Sequence, residues 1–379
     1  MDGCDVLVVG AGLAGLECAQ GMARRGLRVH LADRRTRLDR GARTTGIFVR
    51  RTLEDFVVPE DCLGPAVDRV VLYSPSLRPM ALTGAPGEFR VGRMGRLYAR
   101  RLGDCLRAGV LWRPGTRLSG LFPCRGGSLA TLEKNGRREQ ILARFVVGAD
   151  GAGSSVSRHL GLEGNRRFIV GLEEVHVGAS TGEPAFHCFL DPDVAPGYIA
   201  WVVDDGEEVH IGVGGHAARF EPLKALEKFK SRLPHELSPA GPPSERRGGR
   251  IPAGGVLRRI ACPRGLLVGD AAGAVSPLTA GGLDACFRLS AYAAQVAGDY
   301  LESGNASALA PYSGRRFRGR FASRLLMRRL YEWLGCRPLL EVSHALLCLP
   351  PGRALARHVF FGRGSFPLPA PAPALSSPC

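Results

Sequence analysis

CDVLVVGAGLAGLECAQGMARRGLRVHLADRR, residues 4–35, decides the fold. An apolar run from Val6 to Val9 enters a Gly10-x-Gly12-x-x-Gly15 turn, followed by a helical segment and a second apolar strand ending at Asp33. That order predicts a βαβ unit. Each glycine has its own physical role: Gly10 permits the tight turn, Gly12 lets backbone approach a pyrophosphate, and Gly15 lets helix and strand pack closely. The helix N-terminus supplies unpaired N–H groups to the phosphates. Asp33, about twenty residues beyond the glycines, can accept hydrogen bonds from a ribose hydroxyl, with Arg34 beside it. The segment therefore predicts a dinucleotide site at Gly10, Gly12, Gly15, Asp33 and Arg34.

Two further loops have the same strand-then-glycine character. ARFVVGADGAGSSVSRHLG, residues 143–161, runs from a strand into Gly148-Ala-Asp150-Gly151 and a short Ser/Arg helix. LLVGDAAGAVSPLTAGGLDA, residues 266–285, has one acid among small residues and then opens an amphipathic helix. Together with the N-terminal unit, these loops resemble the three signatures of the FAD-dependent family that contains para-hydroxybenzoate hydroxylase, tryptophan halogenases and geranylgeranyl reductases. The resemblance spans most of the chain. It implies bound FAD, with Asp150 and Gly151 beside the cofactor and the Gly269–Asp270 pair taking the ribityl chain. Pro277, Gly281 and Gly282 would open a helix whose positive end faces the flavin pyrimidine and favours the negative charge of reduced flavin. Arg93 stands where the family has an arginine ahead of a helix beside the cofactor, and Arg96 competes for that place.

The implied fold is α/β: a discontinuous Rossmann-like FAD-binding domain, an antiparallel β-sheet substrate domain and a helical C-terminal cap. The FAD-binding domain would take residues 1–60, 91–165 and 251–300, and the substrate domain 61–90 and 166–250. The helical cap would be 301–365 and the Pro/Ala-rich tail 366–379 disordered. Within 166–250, AFHCFLD, GYIAWVVDDG and EEVHIGVGG alternate with period two, and Asp-Asp-Gly between the last two predicts a hairpin. SPAGPPSERRGGRIPAGG, residues 238–255, reads as a connector back to the cofactor domain.

The same hairpin bears on the substrate. Geranylgeranyl reductases show a Tyr-x-Trp-x-Phe-Pro pattern before a Gly-x-Gly strand. Here Tyr198 and Trp201 match in type with one more residue between them, and no Phe-Pro follows. They are the candidate wall of an apolar substrate pocket. The cysteine that these reductases often carry after the ribose-binding strand is replaced by Thr44, Thr45 and Gly46. The third loop reads Gly269-Asp-Ala-Ala-Gly273, as in reductases and halogenases, where aromatic hydroxylases usually end in His. The resemblance is thus nearest to the reductase branch. It implies that reduced flavin transfers a hydride to a C=C bond of an apolar, isoprenoid-like substrate, with NADH or NADPH as electron donor. Two alternatives stand beside it: a monooxygenase acting through a flavin C4a-hydroperoxide, and a non-catalytic flavoprotein that binds a lipid or relays electrons. Because the flavin carries the chemistry, no side chain is assigned as catalytic.

Composition sets the outer bounds. The 379 residues carry a net charge of +16, which would suit nucleic acid, an anionic membrane surface or a phosphorylated ligand. A small apolar substrate, and not nucleic acid, is the expected partner. Eleven cysteines with no CxxC pair, and nine histidines without metal-like spacing, point to reduced thiols, a cytoplasmic location and no metal site. GASTG at 178–182 and the Gly212, Gly214, Ala217 series read as a turn and a strand, not as catalytic or nucleotide motifs. No feature of the sequence assigns an oligomeric state. From Tyr312 to Phe361 arginines interleave with Leu, Phe, Met and Tyr at helical spacing. Such helices serve either as a cap on the cofactor domain or as a peripheral membrane face.

Overall fold

The computed structural model of the chain describes residues 3–178, 180, 182–218, 220–362 and 364–368. At its centre lies the strand Gly3–Val9, parallel to Val29–Asp33 on one side and to Arg137–Gly148 on the other. Val6, Leu7 and Val8 have no accessible surface, as a strand covered on both faces requires. The sheet continues to Leu111–Pro114 beyond Val29–Asp33, and to Gly265–Leu267 and Ala261–Cys262 beyond Arg137–Gly148. Parallel neighbours need crossovers. The chain therefore leaves and re-enters this sheet, and the material between its visits builds the second layer.

The helix Leu13–Ala23 packs beneath the sheet against Leu283–Ser303, and small side chains let the two approach. A methyl group added at Gly21 would stand 2.9 Å from the Cβ of Ala294. Cys18 Sγ donates to the Ser290 carbonyl at 3.4 Å, and Cys105 Sγ, from the helix Met94–Arg107, donates to that of Leu16 at 3.3 Å. These thiols fill space, and burial pushes both up to about 12.

The second sheet has the order Glu245–Pro252, Phe168–Val177, Glu208–His216, Ala200–Asp204, Ala185–Phe189, Arg69–Tyr73, Pro79–Thr83. Its neighbours are antiparallel except for Arg69–Tyr73 with Ala185–Phe189, which run parallel. The expected hairpin is present, Asp204 pairing with Val209. Three local expectations change. Residues 245–252, read as connector, form the edge strand, where Gly and Arg are tolerated because only one side is paired. Leu63–Val67 joins a small third sheet with Ile47–Val49 and Phe89–Gly92 rather than the substrate sheet. Of the tail expected from residue 366, Phe366 is instead buried edge-on against Phe317 and Phe321, and 369–379 lie outside the described residues. Within GASTG, Ala179 and Thr181 also lie outside them.

The C-terminal cap consists of the helices Ala322–Trp333, Arg337–Cys348 and Pro350–Phe361, which follow shorter turns after Ser303. Among the described residues, no helix is long and apolar enough to cross a membrane, and no group of three or more His, Cys, Asp or Glu could hold a metal ion.

Candidate functional site

The N-terminal glycines have three different surroundings. Gly10, at φ +103°, lies so close to the second loop that an added Cβ would stand 2.3 Å from the Ala149 carbonyl oxygen. A Cβ on Gly15 would stand 1.8 Å from the Gly10 carbonyl oxygen, so helix and strand touch there. At Gly12 the same construction meets nothing within 4 Å. The backbone at Gly12 therefore borders open space at the N-terminus of the helix Leu13–Ala23, where N–H groups lack intrahelical partners.

Asp33 closes the next strand and is buried. It accepts from the Ala11 N–H at 2.7 Å, the Arg35 N–H at 2.7 Å and the Arg35 guanidinium at 3.1 Å. Burial would raise its carboxyl, but these bonds and the Arg35 charge hold it below the usual range. Arg35 is the partner of Asp33, its guanidinium also donating to the Ala11 carbonyl at 3.0 Å, while Arg34, the expected cofactor residue, is exposed.

The second loop abuts the first, the Ala149 N–H donating to the Val9 carbonyl at 2.8 Å. Asp150 caps the short helix Ser155–His159, accepting from Ser154 Oγ at 2.6 Å and from the Ser155 N–H at 2.6 Å. Gly151 follows at φ +81°. Asn165, which the sequence reading missed, ties this loop to the third: its Nδ2 donates to the Ala152 carbonyl at 3.1 Å and to the Asp270 carbonyl at 2.8 Å. Gly269, at φ +56°, faces the first helix, where a Cβ would stand 2.8 Å from that of Ala14.

Asp270 differs from every other acid in these loops. No described side chain reaches its carboxylate. Its side chain is exposed, and the loss of hydration among the surrounding loops pushes it up to about 6. Further along, Pro277 is buried with its carbonyl accepting from Arg328 at 3.1 Å. Ala280 takes a left-handed backbone at φ +53°, and Gly281 and Gly282 open the helix Leu283–Ser303 with no side chain capping its N-terminus.

Arg93, the arginine expected beside the cofactor, is held by the protein. Its guanidinium is taken up by the turn of the substrate hairpin, 2.7 Å from Asp205, 2.7 Å from Glu207 and 3.1 Å from Glu208. These carboxylates outweigh the cost of burial and hold its pKa above the usual value. Arg93 thus joins the helix Met94–Arg107 to the second sheet. Arg96 donates to the Asp61 carbonyl instead. A cleft of about 570 Å³ opens beside Arg93, lined also by Arg247, Glu208 and Glu245. A larger groove of about 920 Å³ lies at the far edge of the cofactor sheet, but no candidate residue lines it.

Tyr198 and Trp201 stand edge to face, ring centroids 6.5 Å apart. The neighbouring strand explains how they fit. A Cβ on Gly212 would stand 2.2 Å from the Trp201 ring, and one on Gly214 would stand 2.5 Å from that of Tyr198. The Gly212-x-Gly214 series is thus a floor for aromatic rings. Beside it lies a buried charged cluster that sequence reading also missed. Glu173 accepts from Trp201 Nε1 at 2.9 Å and from the Thr45 hydroxyl, and His210 Nδ1 stands 3.2 Å from its other oxygen. His210 Nε2 lies 3.2 Å from Glu208. Burial works against charge on His210, yet Glu173 and Glu208 push it up to about 9. His210 is therefore an imidazolium at neutral pH, and its field holds Glu173 below the usual carboxylate range in spite of burial.

The site suits FAD on two observations: open space at Gly12 where a pyrophosphate needs backbone contact, and a carboxylate without a protein partner, at Asp270, where hydroxyl donors could bind. Comparisons with known proteins agree. The family described as FAD binding domain matches residues 127–326, and that described as pyridine nucleotide-disulphide oxidoreductase matches residues 5–45. Digeranylgeranylglycerophospholipid reductase 1 of Methanopyrus kandleri is 31% identical over 320 residues, covering 80% of this chain and 83% of the relative. The corresponding reductase of Methanothrix thermoacetophila is 27% identical over 314 residues, covering 80% and 79%. Among solved structures, a geranylgeranyl bacteriochlorophyll reductase-like protein of Thermoplasma acidophilum superposes with a TM-score of 0.82 at 21% identity, over 96% of this chain and 98% of that one. The p-nitrophenol 4-monooxygenase of Pseudomonas putida shares the fold at a TM-score of 0.68 and 17% identity, over 96% and 95%. The chain belongs to the FAD-dependent oxidoreductases of the geranylgeranyl reductase-like family.

Proposed function

We propose that this protein reduces carbon–carbon double bonds in the isoprenoid chains of a lipid related to the digeranylgeranylglycerophospholipid of its relatives. FAD, when bound, supplies the hydride chemistry. The protein supplies position. Gly12 would leave room for the pyrophosphate, Asp33 would accept from the ribose and Asp270 from a ribityl hydroxyl. The uncapped N–H groups after Gly282 would favour negative charge at the flavin. Tyr198 and Trp201 would hold the apolar chain, whose desolvation favours binding along its whole length.

One observation carries the choice of reductase: the 31% identity to a reductase of this lipid class extends over 80% of the chain and so includes both layers of the fold. NADH or NADPH is the proposed source of electrons. Such a donor needs only transient access to the flavin. The test is anaerobic incubation of the flavin-loaded, chemically reduced protein with a digeranylgeranylglycerophospholipid, followed by mass spectrometry. Mass gains of two hydrogens per double bond are expected. Gain of an oxygen atom in air, with no gain of hydrogen without it, would make the protein a monooxygenase. Flavin reduction by NADH and NADPH, followed at its visible absorbance, tests the donor.

A further inference from the structure

The C-terminal helices have an outer face that the site does not use. Of the sixteen exposed large apolar side chains in the described structure, nine lie from Leu326 onward. On Ala322–Trp333 they are Leu326, Leu330 and Trp333, and on Arg337–Cys348 they are Leu339, Val342 and Leu346. Both spacings, i, i+4, i+7 and i, i+3, i+7, form one helical stripe. Trp333 is 75% exposed and Leu326 68%, more than a folded chain usually leaves clustered in water.

Charge identifies what fits this face. Residues 311–362 carry ten arginines and two acids; Arg329 is exposed on the helix that carries Leu326 and Leu330, and Arg353 and Arg357, also exposed, donate to the Ala81 and Thr83 carbonyls of the neighbouring sheet edge. The inner faces show what lies behind it. Tyr331 donates to the Tyr198 carbonyl at 2.5 Å, and the Arg328 guanidinium lies 5.8 Å from the centre of the Tyr198 ring. Tyr331, Leu347 and Phe361 pack on the same apolar cluster as Trp201. One set of helices therefore has its inner side on the candidate substrate wall and its outer side apolar and basic.

We propose that the outer faces of Ala322–Trp333, Arg337–Cys348 and Pro350–Phe361 dock on an anionic lipid bilayer. Apolar side chains would enter the acyl boundary while arginines meet the lipid phosphates. Resting on the lipid-reductase reading above, the same docking brings the wall at Tyr198 to the membrane, so a lipid chain reaches it without crossing water.

The test uses the flavin-loaded full chain and vesicles of phosphatidylglycerol with phosphatidylcholine, or of phosphatidylcholine alone. The protein is expected to sediment with the first and not the second, with a blue shift of tryptophan emission, to which the exposed Trp333 contributes. Leu330→Glu with Trp333→Glu, both at exposed positions, should weaken partition at least about tenfold while flavin absorbance stays normal. Wild-type protein that ignores anionic vesicles, or a double variant that binds them equally, overturns the inference. So does a dimer that the double variant dissociates, because the face would then belong to a second copy. Turnover separates this from the reductase reading. A double variant active on detergent-dispersed lipid but not on vesicle-embedded lipid supports docking. Normal vesicle binding with no turnover on either removes the reductase reading alone.

Discussion

The imidazole of His210 lies 3.2 Å from Glu173 and has no accessible surface. Its pKa in the folded chain, about 9, exceeds the ordinary 6.5 because two carboxylates face it. Linkage fixes the sign: the pair contributes fully below 6.5, and the contribution is lost as pH rises through about 9. Its size is on the order of 2–3 kcal/mol. Thermal stability measured from pH 6.5 to 9.5 by scanning fluorimetry should therefore fall more steeply than in His210→Leu. That variant should start lower by roughly 3 kcal/mol, because Glu173 is left buried without the imidazolium and Glu208 keeps only Arg93 as an ion-pair partner among the described residues. Parallel pH profiles for the two proteins would exclude the imidazolium.

Asp270 also loses stability as pH rises, but there the charge costs stability where on His210 it adds it. Without flavin its carboxyl is raised from 3.8 to about 6, so ionisation disfavours the folded state increasingly across that interval and fully above it. Asp270→Asn removes that cost but leaves a single neutral amide oxygen in place of the charged acceptor proposed for a ribityl hydroxyl. At pH 7 the flavin-free variant should melt about 1–2 °C above the flavin-free wild type, a small gain because solvent screens the exposed charge. Its flavin dissociation constant should rise about tenfold or more. Wild-type affinity should itself weaken as pH falls through about 6. Equilibrium dialysis with FAD at several pH values checks both.

Gly12 and Gly15 should fail differently. Gly12→Val projects its side chain into open space, so the protein should fold, with a melting temperature within a few degrees of flavin-free wild type, and bind no FAD. Gly15→Val drives a side chain into the Gly10 carbonyl and should give little soluble protein. Soluble yield and flavin content of the two variants separate a ligand-facing glycine from a packing glycine. Flavin retained in Gly12→Val would remove the pyrophosphate from this loop.

What the sequence makes legible here is local. The βαβ unit is readable because its glycines, helix and strand end lie within one short stretch, and the loop at Asp270 because small residues surround a lone acid. The hidden parts join distant segments. Arg93 meets Asp205, Glu207 and Glu208 more than a hundred residues away, a relationship without any periodic signature. Glu173 and Glu174 are adjacent and point to opposite faces of one strand, so neither reads as half of a buried pair; their partners are His210 on one side, and Lys230 and Arg246 on the other. Asn165 carries no motif at all. The strand at 245–252 was hidden by its composition, since Pro, Gly and Arg mark a loop in isolation and an edge strand only once a neighbour pairs with it.

The floor beneath Trp201 yields the last prediction. An alanine at Gly212 would place a methyl group 2.2 Å from the indole, a distance that no small adjustment relieves, so the ring must turn away. Its bond to Glu173 would then break. Gly171 lies under the same ring at 3.8 Å, an ordinary contact, so Gly171→Ala should leave the indole in place. None of the three glycine-rich loops proposed to hold FAD changes in either variant, so both should keep full flavin. Gly212→Ala should lose about tenfold or more in kcat/KM for the isoprenoid lipid, as displacement of a positioning surface predicts, while Gly171→Ala stays within about twofold. If the substrate lies against Trp201, Trp201→Phe should recover part of the loss in the Gly212→Ala background, because a smaller ring clears the added methyl. Equal activity in all of these variants would move the substrate to another wall of the fold.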